Sequence, residues 1–424
     1  MSSKLLSFIA VSIVAFTLLA GAPAMAQSGS QWSDPELAAY SDFVLTGKVV
    51  GIEAGWDYAI ETIYTYVTIE VDEVVKGWIP EDRIVLKQLG GQMDEIGLAV
   101  GGQAAFSAGE EVLLFLETRP RDGSLYTTAL WEGKWSIRRD DPERGELALR
   151  AESAASLDLV GPEFAKVGDV RPLLPFLEEL RRWAGAESRR APAGSRLFSP
   201  PEAPLLSDAG QPAATFAELG SARIAPEYSF MGGRWMEVDL GQAIPMRVHK
   251  KGEKGVSDKG FDEAVAAADI WSGAGSRLIL AAEPKASFGR KRGCTSKVRT
   301  DGDILMVFRD PCDEMADGGA TLAVGGYWYT CSTAKVINGV EFCKNLSGFL
   351  VTNSDSKELQ EYLWNDVCFQ EIITHELGHT IGLGHTSKKR SMMYGELGED
   401  CLTASSARGL RPDDRKGLKK IYPK

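Results

Sequence analysis

Three of the four histidines of this chain lie within the eleven residues HELGHTIGLGH, from His375 to His385. His375 and His379 are separated by four positions, so on an α-helix they lie on one face, about 6 Å apart along the axis. Two imidazoles in this arrangement can bind one Zn²⁺ at about 2.0–2.1 Å. The spacing therefore predicts a metal site on a helix.

His385 cannot reach that metal if the helix continues, because ten residues would carry it roughly 280° around the axis from His375. The chain has to turn, and Gly382 is where it can, since glycine adopts the left-handed conformation that ends helices. Gly384 gives further freedom, and after the turn His385 is the predicted third ligand. Three protein ligands leave a fourth position for water, which is typical of a catalytic zinc site.

Glu376 directly follows the first predicted ligand. It is placed to take a proton from a water molecule at the metal, whose pKa zinc lowers to about 7. Such a water can attack a carbonyl group that the same metal polarises. We therefore expect Glu376 to be the general base of a hydrolase.

A buried methionine is expected beneath such a site, and the segment SMMYG supplies one. The pattern HExxHxxGxxH followed by a methionine turn is that of the metzincins, and among them the chain resembles the matrixins. In the matrixins the interval from the third ligand to this turn is short and a tyrosine directly follows the methionine, so with the interval HTSKKRSMMY the resemblance implies Met393 in the turn and Tyr394 after it. Met392 is the alternative, which would place the tyrosine two positions on, as in astacin-like enzymes, whose intervals are longer.

The resemblance to the matrixins covers roughly residues 235–424. It includes the segments RVHK, AVAAADIWSG, GDILMVF and LRPDDRKGLKKIY. It implies an α/β (α+β) metzincin zinc-protease domain with a mixed sheet, an active-site helix and a C-terminal helix. It also implies one catalytic Zn²⁺ and a peptide or protein substrate that binds along an edge strand, for which we expect the stretch ATLAVGGYWYT.

Other metal sites of the matrixins are harder to place here. Several upstream histidines commonly hold a second zinc in that family, but only His249 is available, so we predict no second zinc. A calcium site is a second possibility, because acidic residues are frequent over one stretch. They lack EF-hand spacing, so solvated loop acids are the preferred interpretation. They are Asp301, Asp303, Asp310, Asp313, Glu314 and Asp317.

Six cysteines, all after residue 293, predict disulfide bonds. Six cysteines allow 15 connectivities, and sequential pairing is the preferred hypothesis. Its pairs are Cys294–Cys312, Cys331–Cys343 and Cys368–Cys401. Only the third has a further argument, because it would join the predicted metal helix to the segment after the methionine turn. The matrixin cysteine-switch propeptide is missing, since no cysteine precedes these six.

The N-terminus is typical of a secretory signal peptide. Lys4 precedes the apolar stretch LLSFIAVSIVAFTLLA, which is shorter than the ~20 residues of a membrane span, and Ala24-Met25-Ala26 is a predicted cleavage site. We expect residues 1–26 to be removed and the protein to be secreted, into a periplasm or the medium, without stable membrane insertion. The net charge of −12 argues against nucleic acid as a partner.

The sequence predicts a multidomain protein. Residues 27–165 contain short β-rich stretches, and SDFVLTGKVV, YVTIEVDEVVKG and FSAGEEVLLFLE resemble the OB-fold, netrin-like domain of tissue inhibitors of metalloproteinases. This predicts an N-terminal all-β OB-like barrel, with a generic β-barrel module as the alternative. An amphipathic helix is expected in 166–184, a Pro/Ala/Ser-rich linker in 185–226 and the protease domain in 227–424.

Two functions from different classes follow. The first is a secreted zinc metalloendopeptidase that hydrolyses peptide bonds with a zinc-activated water and Glu376 as general base. The alternative is a catalytically minor or inactive secreted binding protein that acts through its N-terminal β-domain; a zinc hydrolase of non-protein amides is a third hypothesis. Because no cysteine can block the zinc, we hypothesise an intramolecular contact by which the N-terminal part restrains the protease domain until the linker is cut. A docking module on a tether is the other explanation.

Overall fold

The computed structural model describes residues 32–58, 60–119, 122–151, 168–184, 228–295, 298–315, 321–353, 357–386, 388–395, 397 and 400–424. The predicted signal peptide and the predicted linker 185–226 lie outside these residues. Within them, the strands form two sheets of eight strands each. None of the described helices is both long enough and apolar enough to cross a membrane.

The strands and α-helices are numbered in chain order. The strands are β1 (Phe43–Asp57), β2 (Thr62–Lys76), β3 (Arg83–Leu89), β4 (Gly91–Met93), β5 (Ile96–Val100), β6 (Glu111–Thr118), β7 (Leu125–Thr127), β8 (Lys134–Asp141), β9 (Gly145–Ala151), β10 (Gly168–Pro172), β11 (Gly233–Arg234), β12 (Ile244–His249), β13 (Leu280–Ala286), β14 (Ile304–Val307), β15 (Ala323–Ile337) and β16 (Val340–Thr352). The helices are α1 (Asp34–Tyr40), α2 (Leu173–Ala184), α3 (Phe261–Ser272), α4 (Lys357–Leu363), α5 (Asp366–Thr380), α6 (Asp400–Thr403) and α7 (Pro412–Ile421).

Five strands of the first sheet pair in a closed cycle. The order is β1–β2–β3–β7–β6, and β6 pairs again with β1. All of these pairs are antiparallel except the single parallel contact between Leu86 of β3 and Leu125 of β7. Alternating apolar side chains of β1, β2 and β6 share one core, because successive residues of a strand point to opposite faces: Leu45, Val49, Val67, Ile69, Val112 and Leu114.

Helix α2 covers the remaining strands of the first sheet. Its Phe176 and Leu180 share a buried cluster with Trp135 of β8. The helix expected within 166–184 begins only at Leu173, because residues 168–172 pair with β9 as strand β10. Pro172 explains this boundary, since the residue before a proline is biased towards extended conformations.

The second sheet is mixed and runs in the order β13–β12–β14–β16–β15–β5–β4, and its eighth strand, β11, also pairs with β16. β12, β13, β14 and β16 pair in parallel, and β15 is antiparallel to β16. Helices α3 and α5 share one apolar core with this sheet. Two tryptophans fix α5 along its length, because Trp271 Nε1 donates to the carbonyl of Thr374 at 2.7 Å and Trp235 Nε1 to that of Thr380 at 2.9 Å.

The N-terminal part of the chain contributes two strands to the second sheet. β5 pairs antiparallel with β15, from Ile96 opposite Thr330 to Val100 opposite Gly326, and β4 pairs with β5. The stretch ATLAVGGYWYT was predicted to be a free edge, and this prediction is wrong. Its strand lies inside the sheet, because β5 satisfies the backbone groups that an edge strand would leave unpaired.

Three disulfides join Cys294 to Cys312, Cys331 to Cys343 and Cys368 to Cys401. They are the three sequential pairs that the sequence suggested. The second links β15 to β16, and the third links α5 to α6. All of these bonds lie in the C-terminal part, so no disulfide can connect it to the cysteine-free first 293 residues.

Candidate metal centre

Helix α5 carries two of the three clustered histidines. It begins after Asn365, whose side chain accepts hydrogen bonds from the backbone N–H groups of Val367 and Cys368, as expected of an N-cap residue. The helix ends at Thr380, and Gly382 has a φ of 98°. A Cβ at Gly382 would lie 2.3 Å from the carbonyl oxygen of Gly233, so both the backbone conformation and the space require glycine. This turn brings His385 back towards the helix.

The three imidazoles converge through their Nε2 atoms. The Nε2 atom of His385 lies 3.2 Å from that of His375 and 3.2 Å from that of His379. His375 and His379 are almost fully buried. The three histidines form a group that could hold one metal ion.

The opposite ring nitrogens of the two helical histidines contact backbone carbonyl groups. His375 Nδ1 lies 2.7 Å from the carbonyl oxygen of Met392, and His379 Nδ1 lies 2.8 Å from that of Leu383. A carbonyl only accepts, so each Nδ1 carries the proton and each Nε2 carries a lone pair. Burial lowers the pKa of His379 to about 4, and burial followed by the neighbouring histidines lowers the pKa of His385 well below its ordinary value.

This arrangement fits a tetrahedral zinc ion. The Nε2 atom of His385 lies 3.2 Å from each of the other two, so a cation between the three atoms could bind all three lone pairs at once. Ligands at 2.0–2.1 Å from a tetrahedral centre are about 3.3 Å apart. The donor set, the spacing and the fixed tautomers therefore agree with a three-histidine zinc site.

Glu376 lines the same small cavity as the three histidines. Its side chain is buried. The helix can approach β15 closely here, since a Cβ at Gly325 would lie 2.2 Å from the carbonyl oxygen of Glu376. Glu376 and the three histidines therefore border one cavity.

Met392 and Met393 are both buried and have different contacts. Met393 packs against α5, where a Cβ at Gly378 would lie 2.2 Å from its Sδ. Met392 is the residue whose carbonyl contacts His375. Tyr394 is buried next to them. The side chain of Met393 therefore packs against the helix that carries His375 and His379, and the backbone of Met392 contacts His375.

Asp414 supports this turn, and sequence reasoning missed it. Its carboxylate accepts hydrogen bonds from the Ser391 hydroxyl and from the backbone N–H groups of Met392 and Met393. It also accepts from the N–H of Arg411 at the start of α7. Burial raises the pKa of Asp414 above its ordinary value. In the sequence, Asp414 belongs to the segment PDD at the start of a helix, where acidic residues are common. No sequence signal therefore linked it to the turn at Met392 and Met393.

Two segments of the N-terminal part reach the metal centre, and sequence reasoning missed these as well. A Cβ at Gly101 would lie 2.3 Å from Cδ2 and 2.7 Å from Nε2 of His379. The rings of Trp131 and His385 are 6.4 Å apart. The doublet Gly101-Gly102 at the end of a strand was the available signal, because glycine there often marks a close backbone approach.

The acidic residues considered for calcium mostly have cationic or backbone partners instead. Asp301 pairs with Arg292 at 2.7 Å, and Asp303 pairs with Arg299 at 2.8 Å. Asp310 accepts from backbone N–H groups, and Asp317 lies outside the described residues. The described acids of this stretch do not meet as three carboxylates at one point. Calcium binding therefore stays a prediction.

The comparisons with known proteins concern the same part of the chain. The family model of the matrixins matches residues 318–423. Matrilysin of Rattus norvegicus is 40% identical over 70 residues, which cover 14% of this chain and 24% of matrilysin. The chain thus spans about a quarter of the length of that relative. The C-terminal part of this protein contains a matrixin-like domain.

Proposed function

We propose that this protein is a secreted, zinc-dependent metalloendopeptidase. The observation that carries the proposal is the triangle of Nε2 atoms of His375, His379 and His385, with Glu376 in the same cavity. The match of residues 318–423 to the matrixin family model supports the assignment of the protein as a peptidase. Peptide or protein substrates are the class that this family implies.

The roles of the residues follow from their contacts. His375 and His379 hold their Nε2 lone pairs towards one point because backbone carbonyls bind their Nδ1 protons. His385 completes the ligand set. Zinc in this set would polarise the substrate carbonyl and acidify a water molecule. Glu376 accepts the proton of the attacking water and can return it to the leaving amine.

Met393 and Tyr394 are proposed as the methionine turn. Met393 lies against Gly378 on the ligand helix, whereas Met392 contributes its carbonyl group. This division of roles favours Met393 over Met392 as the methionine of the turn. Gly382 is proposed as the residue that ends the helix, on the basis of its positive φ.

The N-terminal part is proposed to be an OB-like domain. Its five strands β1, β2, β3, β6 and β7 pair in the cycle β1–β2–β3–β7–β6–β1. In this cycle only β3 and β7, the third and fifth strands in chain order, are parallel. This closed five-stranded cycle supports the proposal of a Greek-key barrel of the OB type. The domain limits are proposed as 27–165 for the β-rich domain, 166–184 for the segment with helix α2, 185–226 for the linker and 227–424 for the protease part.

The proposal that the protein is secreted is based on the signal-like residues 1–26 and on three disulfides, which form in oxidising compartments. Measuring the N-terminal residue of the exported protein tests this directly. An N-terminus at Gln27 is expected, and a protein that keeps its first 26 residues contradicts it.

Zinc content and hydrolysis test the enzymatic proposal separately. We expect one zinc per chain in the wild type and in Glu376→Gln, and none in His379→Ala, because only the last removes a ligand. Digestion of a peptide library, with and without a chelator, measures activity. Glu376→Gln should lose most of it, since the base is lost while the ligands remain.

Cleavage that continues at the wild-type rate in Glu376→Gln contradicts the mechanism. A zinc content that is the same in His379→Ala and in the wild type contradicts the ligand set. His249→Asn is the matched control, because His249 lies at the end of β12 and its Nε2 contacts the carbonyl of Phe288. It should keep both zinc and activity.

A further inference from the structure

The outer edge of β15 is filled by a segment of this same chain. β5 pairs with it from Ile96 opposite Thr330 to Val100 opposite Gly326. The pairing continues at both ends, since Gly101 N donates to the carbonyl of Gly325 at 2.9 Å and Cys331 N to that of Glu95 at 3.1 Å. An extended peptide that binds a protein by strand addition needs this row of backbone groups. β5 already occupies it.

The chain leaves β5 directly across the metal centre. Gly101 lies so close to the ring of His379 that a Cβ would be 2.3 Å from Cδ2. The His379 ring cannot move away easily, because its Nδ1 is hydrogen-bonded to the carbonyl oxygen of Leu383. A Cβ at Gly102 would lie 3.7 Å from Cε1 of His385. The two glycines therefore lie over two of the three proposed ligands.

A second segment of the N-terminal part holds the first in place. Trp131 N donates to the carbonyl of Gly102 at 3.1 Å. The preceding Ala129 and Leu130 have φ values of 55° and 57°. Two consecutive non-glycine residues in the left-handed region are strained, and such strain persists where the surrounding structure imposes it, often at ligand clamps.

These segments leave almost no space at the metal centre. The cavity bounded by the three histidines, Glu376 and the segments around Gly101 and Trp131 has a volume of about 20 Å³. That is about enough for one water molecule. A peptide substrate can enter only in the fraction of molecules in which these segments have moved away, so the wild type keeps a low activity.

Contacts away from the metal centre anchor the same interface. Leu98 is fully buried, in one cluster with Trp328 and Phe349 of the second sheet. Thr62 donates to the carbonyl of Thr295 at 3.1 Å, and Arg119 donates to that of Glu314 at 2.5 Å. A segment tethered in this way competes at a high effective concentration against any free peptide.

We propose that residues 96–102 are a built-in inhibitor that occupies the substrate path of the metal centre, with strand β5 on the edge of β15 and Gly101 over His379. The inference rests on the proposed peptidase function. The cleft opens only when β5 separates from β15. Because Gly101 has an ordinary backbone conformation, a side chain at this position is not strained by the backbone, and its three nearest contacts would all be atoms of His379.

The test uses the full chain after removal of the predicted signal peptide, loaded with zinc. Gly101→Ala should expel the segment, because the added Cβ overlaps the His379 ring. The matched control is Gly51→Ala in β1, where a Cβ would lie 3.5 Å from Thr68 in ordinary contact. A second variant, Leu98→Asp, places a charge in the buried cluster and loosens β5 without touching a histidine.

Two readouts keep this inference separate from the proposed function. The first is hydrolysis of the peptide library, which should rise at least about tenfold in Gly101→Ala and Leu98→Asp and not in Gly51→Ala. The second is binding of N-acetyl-Leu-Gly hydroxamate, which needs an open cleft but no catalysis. It should bind both opened variants at least about tenfold more tightly than the wild type.

Equal hydroxamate affinity in the wild type and both opened variants overturns the proposal that residues 96–102 are an inhibitor. Tighter binding without hydrolysis in any variant supports the inhibitor and contradicts the peptidase. If Gly101→Ala loses zinc, the His379 ring has moved instead of the segment, and Leu98→Asp decides the question. A Leu98→Asp protein that keeps its zinc and binds the hydroxamate no better than the wild type overturns the proposal.

Discussion

The carboxylate of Asp414 accepts a hydrogen bond from the backbone N–H of Met393, with 3.1 Å between Oδ1 and N. The same carboxylate binds the N–H of Met392, whose carbonyl group contacts the Nδ1 of His375. The C-terminal helix thus orients a proposed metal ligand through the methionine turn. Asp414 is thus linked to His375 through Met392 without contacting a histidine.

Asp414→Ala should weaken zinc binding by about 10- to 100-fold, the usual effect of losing a group that orients a ligand. It should also lower the free energy of unfolding by about 3 kcal/mol, because buried N–H groups lose their acceptor. Titration with a competing chelator and denaturant unfolding measure the two effects. Asp413→Asn is the control on the same helix, since its carboxylate has one bond of 3.3 Å to Thr386. Equal effects of both substitutions contradict this role of Asp414.

Chelation of zinc should lower the midpoint of thermal unfolding by on the order of 10 °C, because a ligand that binds only the folded chain stabilises it. Scanning calorimetry with and without chelator measures the shift. His379→Ala should show no shift, since it lacks a ligand to the metal. The same shift in this variant as in the wild type would mean that the metal binds elsewhere.

The free energy of unfolding should fall as the pH rises from about 4.5 to about 7, because of the buried carboxyl group of Glu314. Burial, followed by the charge of Asp310, raises the pKa of Glu314 from its ordinary value of 4.5 to about 7. Between these values the folded protein holds a proton that the unfolded chain releases, so the free energy of unfolding decreases with pH. This decrease in the free energy of unfolding is complete above about pH 7 and amounts to at most about 3 kcal/mol.

Glu314→Gln should remove this contribution. Denaturant unfolding at pH 5 and pH 8 should show a larger loss of stability in the wild type than in the variant. Asp313→Asn changes the exposed neighbour and should keep the wild-type dependence. Identical pH profiles for the wild type and Glu314→Gln would show that this carboxyl group does not titrate in the folded protein near pH 7.

The disulfide between Cys368 and Cys401 should stabilise the protein more than that between Cys331 and Cys343. The first closes a separation of 33 residues and the second one of 12. In the chain-entropy account, these loops are worth about 3.7 and 2.8 kcal/mol. Paired Cys→Ser substitutions and unfolding measurements compare them. A larger loss from removing the second pair would indicate that native-state contacts outweigh loop entropy.

Cutting the predicted linker 185–226 should activate the protein only after dilution. No disulfide joins the two parts, but the pairing of β5 with β15 holds them together. After the cut, docking becomes bimolecular and loses its effective concentration. Hydrolysis per molecule of nicked protein should therefore rise as its concentration falls. Activity that does not depend on concentration would contradict inhibition by the N-terminal part.

The local geometry of the metal centre could be predicted from the sequence. Helical periodicity alone places His375 and His379 on one face, and Gly382 is needed to return His385. The apolar pattern of α5 and the alternation along β2 reflect backbone periods of 3.6 and 2 residues. These features depend on near neighbours in the chain, so a short stretch of sequence contains the whole signal.

The contacts of Gly101 with His379 and of Asp414 with Met393 were decided only by the tertiary structure. Each joins segments that are distant in the sequence, and each has an ordinary local explanation: a glycine at a strand end and an acid in the first turn of a helix. The pairing of β5 with β15 depends on which extended segment satisfies an unpaired edge while burying Leu98. Burial and backbone satisfaction are properties of the folded chain as a whole, so the sequence predicted the ligands, and the fold decided what covers them.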